Sequence, residues 1–263
     1  MKNLLEVQDL NLTYHTKEFE TVALKDLNFS LKPTEFISLV GPSGCGKTTI
    51  LSLIAGLLKA SSGQILYCDK PIEGINKDIG YMFQQDNLFD WLTVEQNVLF
   101  GLKIQKKLTE ETKANALSLV EKYGLKEFST HYPNELSGGM RQRVSLIRTL
   151  ATSPKLLLLD EPFSALDYQT RLNIQDTVHK IIKTEKKSAI LVTHDISEAV
   201  VLSDRILILT KRPAEVKTNL TLNFSPDLTP FGRRDSPLFN SYFASIWEDL
   251  KTWKKTLPNT NYT

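Results

Sequence analysis

Residues 41–48 read GPSGCGKT, three glycines in a run that closes on a lysine and a hydroxyl. That spacing suits the grip of a polyphosphate. Gly41, Gly44 and Gly46 let the backbone turn its N–H groups toward an anion, Pro42, Ser43 and Cys45 space them, and Thr49 follows on the same run. Lys47 is placed to reach the β- and γ-phosphates, and the Thr48 hydroxyl to hold Mg²⁺. The rival reading is an ordinary glycine turn, but this run falls after a buried strand and before a helix, the context a phosphate loop requires. Residues 156–161, LLLLDE, supply acids of the kind such a site needs. Four leucines put Asp160 at the carboxyl end of a buried strand, where ligands bind in open α/β sheets. There Asp160 can bind Mg²⁺ through water, and Glu161 can orient and polarise an attacking water.

The elements that must position these groups follow from hydrophobic period. LEVQDLNLTY and VALKDLNFSL alternate apolar and polar residues, which predicts antiparallel strands. EFISLV, just before the glycine run, is compactly apolar and suits a strand buried on both faces. Lys47 to Leu58 reads as a helix with Ile50, Leu51, Leu53, Ile54 and Leu57 on one face. Strand-like pieces follow at Gln64 to Tyr67 and Ile79 to Phe83. Residues 93 to 152 turn helical, with Thr109 capping a helix whose first turn carries Glu110 and Glu111 and whose inward stripe is Leu117, Val120 and Tyr123. KLLLLD, a helix from Thr170 to Lys186, SAILVT, a helix from Ile196 to Leu202 and RILILT then alternate, which implies a mainly parallel sheet with covering helices. The remainder carries several prolines from Pro213 and an amphipathic helix from Leu238 to Trp253.

Residues 136–143, LSGGMRQR, narrow the reading. Ser137, Gly138 and Gly139 open a helix whose free N–H groups can bind an anion, and Met140, Val144, Ile147 and Ala151 mark its buried side. Here the sequence resembles the ATP-binding subunits of ABC transporters, whose signature LSGGQ precedes the aspartate strand; Met140 stands where that family usually has glutamine. The resemblance covers about residues 4 to 210. It implies a P-loop NTPase of ABC type, an α/β fold with a mainly parallel sheet core, an antiparallel β region and a helical subdomain. It also implies ATP and Mg²⁺ as ligands, with Tyr14 stacking on adenine. Gln84, beside Gln85, stands where the family's glutamine touches Mg²⁺ and the attacking water. Asp167, in SALD, stands in the loop that crosses the dimer interface, and His194, in VTHD, where the γ-phosphate is contacted. Read singly, Tyr14 is also a strand aromatic, Gln84 a surface amide, Asp167 a helix cap and His194 a polar strand end. His15, His131 and His179 lie in no such setting.

NLFDWLTVEQNVLFG (87–101) resembles the segment that follows the glutamine in importer subunits, and Phe89, Trp91 and Leu92 form an apolar cluster suited either to a partner or to the core. This stretch, EPFSALD and FGRRDSP most resemble the nitrate, sulfonate and taurine type of importer. The implied function is ATP hydrolysis powering import of a small solute, with a second ATP-binding subunit in a head-to-tail dimer, integral permease subunits and, indirectly, an extracytoplasmic solute-binding protein. The alternative is a soluble ABC ATPase without a permease, of the cluster-assembly type. A DNA-repair ATPase would need a long coiled coil, for which the interval from Lys47 to Ser137 has no room. The expected organisation is a nucleotide-binding domain over 1–214, its helical subdomain at about 87–152, and a tail over 215–263.

Composition agrees. Lysine and arginine number 32 against 30 acids, a net +2, which argues against nucleic acid as the main ligand. Cys45 and Cys68 make no disulfide framework and have no metal-ligand spacing, so a reducing compartment is expected. Glu6 and Asp9 break the apolar run that a signal peptide needs, and no stretch approaches 18 apolar residues. The expected place is the cytoplasmic face of the membrane, held there by partners.

Overall fold

Leu5, Val7, Leu10 and Leu12 are buried in one strand, with a slip of one residue at Asp9, whose φ is +46°. A bulge absorbs that slip, and the period of two resumes beyond it. The computed structural model describes residues 2–15 and 19–251. Its elements in chain order begin with β1 (Leu5–His15), β2 (Glu20–Leu31), β3 (Phe36–Val40), α1 (Lys47–Ile54), β4 (Ser62–Tyr67), β5 (Lys70–Pro71) and β6 (Ile79–Met82). Next come α2 (Val94–Ile104), α3 (Glu110–Lys122), α4 (Gly138–Ala151), β7 (Leu156–Asp160), α5 (Tyr168–Thr184) and β8 (Ser188–Thr193). The last are α6 (Ile196–Leu202), β9 (Arg205–Leu209), β10 (Val216–Thr221), α7 (Pro230–Asp235) and α8 (Pro237–Lys251).

The chain divides into two compact units, Met1–Gly74 with Leu191–Thr263, and Ile75–Ile190, so the division falls within β8. In the first unit an antiparallel sheet has the order β2-β1-β4-β5, and β3 pairs with β9 in parallel while β10 pairs with β9 antiparallel. α6 and α8 pack here with Val40, Ile206 and Ile208 in a core that includes Ile246, Phe239 and Phe243. In the second unit β6 pairs with β7 in parallel. Its helices α2, α3 and α4 share a core of Val94, Val98, Leu102, Val120, Val144 and Ile147. Parallel strands with covering helices, an antiparallel sheet and a helical layer are the α/β architecture expected, and the mainly apolar β3, β7 and β8 are wholly buried.

The structure corrects the expectations in four places. α1 stops at Ile54, because Gly56 takes φ +72° and turns the chain, and Leu57 is left half exposed instead of joining the inward face. The inward stripe of α3 is Ala116 and Val120, with Leu119 and Tyr123 packed beside them, and Leu117 lies outside that core. α5 starts at Tyr168, directly after its cap Asp167, two residues before the expected start. Residues 216–221, polar and threonine-rich, form β10, because β9 offers an open edge and only a weak alternation (VKTNLT) is needed to pair with it. The end of the expected tail helix, at Trp253, lies outside the described residues.

α8 shows what holds the C-terminal segment. Ile246 is fully buried, the backbone N–H of Asn223 donates to the Tyr242 hydroxyl at 2.9 Å, and Trp247 stays half exposed under the Lys251 ammonium. Ile246→Ala is expected to cost about 2–4 kcal/mol, and Trp247→Ala less than about 1 kcal/mol. Urea unfolding of the two variants tests this; equal losses would mean that α8 is anchored through its outer face.

Candidate functional site

In the first unit β3 delivers the chain into residues 41–46 and α1 receives it, so the strand end and helix start fix both ends of the glycine loop. Gly46, the residue before α1, takes φ +117°, a conformation that a side chain would strain. Lys47 is buried at 7% exposure, and its ammonium folds back to donate to Gly41 O at 2.9 Å and Pro42 O at 3.1 Å. Two carbonyls thus hold the cation over the loop that carries the amide donors. Thr48 is exposed and Thr49 half-buried. Tyr14, on β1, brings its hydroxyl within 3.4 Å of Thr49 Oγ1 and keeps part of its ring open to solvent, as a base-stacking residue must. Cys45 is buried, and burial pushes its thiol above the usual range, partly opposed by the nearby charges of Lys47 and Arg212. It is therefore a neutral spacer.

His194 follows β8 and is exposed. The next residue, Asp195, caps α6 by accepting from Ser197 N at 2.7 Å and Glu198 N at 3.3 Å, and Thr193 Oγ1 donates to Glu198 Oε2 at 2.6 Å. His194 thus stands on a backbone pinned on both sides. The sequence reading passed over Thr193, Asp195 and Glu198, although a Thr-x-Asp-x-x-Glu run is a visible capping pattern.

In the second unit Asp160 ends β7, buried at 7% exposure, and Tyr81 donates its hydroxyl to Asp160 Oδ2 at 3.1 Å. Glu161 takes φ +45°, unusual for a residue with a side chain, at the point where the strand leaves the sheet. Ser164 Oγ donates to Glu161 O at 3.0 Å, and Gln84 Nε2 donates to Ser164 Oγ at 3.3 Å. Ser164 thus joins Gln84 to Glu161 and Tyr81 supports Asp160; from the sequence Ser164 is read only as part of SALD, and Tyr81 has no role. Gln85, adjacent to Gln84, is exposed as well.

Ser137 caps α4, accepting from Met140 N at 3.3 Å, and Gly138 is the first residue of the helix. Gly139 lets α4 lie close to α5: a Cβ there would stand 3.0 Å from Thr170 Cγ2 and 3.2 Å from Ile174 Cδ1. Asp167 caps α5 by accepting from Thr170 N at 3.0 Å, and the hydrogen bonds to Thr170 hold its carboxyl below the usual range. Two more residues of α4 act on the segment after Gln84. Arg141 pairs with Asp86 at 3.1 Å, and Arg148 donates to Asn87 O at 2.6 Å and Asp86 O at 2.8 Å. Beside that segment Gln84, Asp86, Asp90, Gly138, Arg141 and Leu166 line a cleft of about 350 Å³.

Of the apolar cluster expected at Phe89, Trp91 and Leu92, the rings of Phe89 and Trp91 lie 5.2 Å apart between centres, but the three side chains differ in burial. Phe89 rests on Phe100 at 4.5 Å between ring centres, Leu92 is half-buried, and Trp91 is 72% exposed. Asn97, fully buried on α2, holds the turn: it accepts from Phe89 N and donates to Phe89 O, Leu92 O and Thr93 O. A buried amide with four bonds on one loop is a scaffold for what the loop displays, and its role is invisible in the string QNV.

The residues fit a magnesium nucleotide. In the first unit Lys47 is a buried ammonium held by carbonyl oxygens and Thr48 offers a hydroxyl, and in the second unit Asp160 offers a carboxylate; each is a charge or hard donor suited to phosphate or Mg²⁺. Among the described residues no group of His, Cys, Asp and Glu forms a metal cluster of its own.

Comparison with known proteins agrees with this reading. Residues 24–164 match the family model described as ABC transporter. The chain is 46% identical over 258 residues to the uncharacterized ABC transporter ATP-binding protein YtlC of Bacillus subtilis (strain 168), covering 98% of this chain and 99% of that one. It is 44% identical over 223 residues to the nitrate import ATP-binding protein NrtD of Synechocystis sp., covering 85% and 84%. Among solved structures it resembles the dimeric post-hydrolysis state of the ATP-binding cassette MJ0796 bound to ADP and Pi, with a TM-score of 0.70, 33% identity, and coverage of 84% of this chain and 100% of that one. Matched over nearly its whole length, the chain belongs to the ABC transporter family, as one of its ATP-binding proteins.

Proposed function

We propose that this chain binds and hydrolyses ATP to power an ABC importer for a small solute of the nitrate, sulfonate and taurine type. The observation that carries the chemistry is the Lys47 ammonium, buried against the carbonyls of its own glycine loop. Similarity to a nitrate import subunit supports the transport reading, and nothing in the structure favours the soluble cluster-assembly alternative.

In this reading Lys47 leaves the loop carbonyls for the β- and γ-phosphates, while Gly41, Pro42, Ser43, Gly44, Cys45, Gly46 and Thr49 contribute the loop around them. Thr48, Asp160 and Gln84 hold Mg²⁺, which when bound offsets phosphate charge. Glu161 takes the proton of the attacking water, and Gln84 helps to orient that water. His194 bonds the γ-phosphate as its charge develops, and Tyr14 stacks on adenine. Ser137, Gly138 and Gly139 offer the positive end of α4 to the ATP of a second subunit in a head-to-tail dimer, with Asp167 at that contact. The dimeric cassette bound to ADP and Pi supports such an assembly.

Among the described residues no helix is long and apolar enough to cross a membrane. The permease is therefore a separate chain in this proposal, and the subunit sits peripherally at the cytoplasmic face. Trp91, exposed on a turn pinned by Asn97, is the proposed permease contact, with the solute-binding protein acting from the other side. Nucleic acid has no part in it.

Glu161→Gln keeps the shape and an amide while removing the base, so kcat should fall by about 10² to 10⁴ with ATP affinity retained. Steady-state phosphate release and nucleotide titration check this; hydrolysis within a few-fold of wild type would remove Glu161 from catalysis. Trp91→Ala should weaken permease assembly by about thirtyfold, the effect of losing ~2 kcal/mol at an interface aromatic, while nucleotide affinity stays unchanged. Co-purification with the permease measures it, and undiminished recovery of the complex would return Trp91 to a surface without a partner.

A further inference from the structure

Arg212 has no place in the reading above, yet it reaches the phosphate loop. It lies in the connection from β9 to β10, and its Nη2 donates to Gly44 O at 3.0 Å. The connection is itself held firmly. Thr210 N donates to Glu215 O at 3.0 Å, Glu215 N donates to Thr210 Oγ1 at 2.8 Å, and Thr210 Oγ1 donates to Pro213 O at 2.9 Å. Ala214 is buried and ties the connection to β2, donating to Ala23 O at 2.9 Å and accepting from Lys25 N at 3.1 Å.

The same two elements carry the loop from below. Leu209, at the end of β9, has Cβ 3.1 Å from where a Cβ on Gly41 would stand, and Leu24 of β2 has Cδ2 3.0 Å from that position on Gly46. Gly41 and Gly46 thus rest on β9 and β2. Gly44, between them, has nothing within 4 Å of its Cβ position, so packing does not hold it. The Arg212 bond supplies the missing restraint. Because the peptide is planar, holding Gly44 O also fixes the Cys45 N–H, which donates to Pro42 O at 3.3 Å.

We infer that Arg212 is a positioning residue of the nucleotide site, fixing the Gly44–Cys45 peptide so that the loop is formed before phosphate arrives. The inference rests on the reading of residues 41–48 as the nucleotide loop. A preformed loop avoids ordering cost on binding, so the effect falls on affinity.

The test is titration of ATP and of ADP, each with Mg²⁺, into the purified full chain and its Arg212→Ala and Arg212→Lys variants, with steady-state hydrolysis alongside. For Arg212→Ala both dissociation constants should rise by roughly threefold to tenfold, the size of one solvent-accessible charge-assisted bond. KM for ATP should rise in the same proportion with kcat within about twofold, because a loop that is slower to form still reaches the same reacting geometry. Arg212→Lys, which keeps a charged donor, should recover most of the loss, and the melting temperature without nucleotide should stay at the wild-type value. Unchanged affinities in Arg212→Ala would overturn the inference. So would a loss confined to ATP, which would make Arg212 a direct γ-phosphate contact, or a lowered melting temperature without nucleotide, which would make it merely structural. Failure of the wild-type chain to bind either nucleotide would instead overturn the nucleotide reading of the loop itself.

Discussion

A loop that grips phosphate with its own peptide N–H groups cannot spend those groups on a helix or a sheet, and this constraint orders the first unit. Donors that must stay open to a ligand give the loop no internal ladder, so rigidity has to come from neighbours. β3 and α1 fix its ends, the leucines of β9 and β2 support two of its glycines, and Lys47 closes over two of its carbonyls. The cost of a buried ammonium is met by those carbonyls, which also keep it within reach of an incoming anion. Residues far apart in the chain thereby serve one short turn.

The second unit meets a different demand, that of holding acids at a strand end. Asp160 is nearly buried, where an unpartnered carboxylate is unfavourable, and the Tyr81 hydroxyl answers part of that need. Glu161 is carried on a left-handed backbone, a conformation that costs about 1–3 kcal/mol and persists only where surrounding structure enforces it. Here Phe163 is fully buried just beyond it, and Ser164 bonds back to its carbonyl. Ser164 also meets Gln84, so the same turn that fixes the acid senses the segment leading to Trp91. α4 braces that segment with Arg141 and Arg148, the latter held partly out of solvent, where burial lowers its pKa and Asp86 opposes the shift. One helix therefore presents Ser137 at its start and anchors residues 86 and 87 along its side. This gives a continuous chain of contacts from Glu161 to the segment that leads to Trp91.

What the sequence determined by itself was whatever depends on residue type and short spacing. GPSGCGKT fixed the loop's chemistry, since few other residues permit its turns and charge. The compact, mainly apolar runs of β3, β7 and β8 announced strands buried on both faces, because such runs have no polar face to give to water. Ser137, Asp167 and Thr109 were readable as caps for a similar reason, an oxygen one turn ahead of the amides it satisfies. Tertiary structure decided what depends on a neighbour distant in the chain. β10 exists because β9 leaves an edge to pair with, α3 turns Ala116 inward in place of Leu117 because α2 and α4 set the angle of its face, and Trp91 is exposed while Phe89 packs because Asn97 pins the turn between them. Arg212, Tyr81 and Ser164 acquire their places in the same way. Arg212 and Tyr81 carry no local pattern and Ser164 only that of SALD, and the folded chain brings each to the groups it serves.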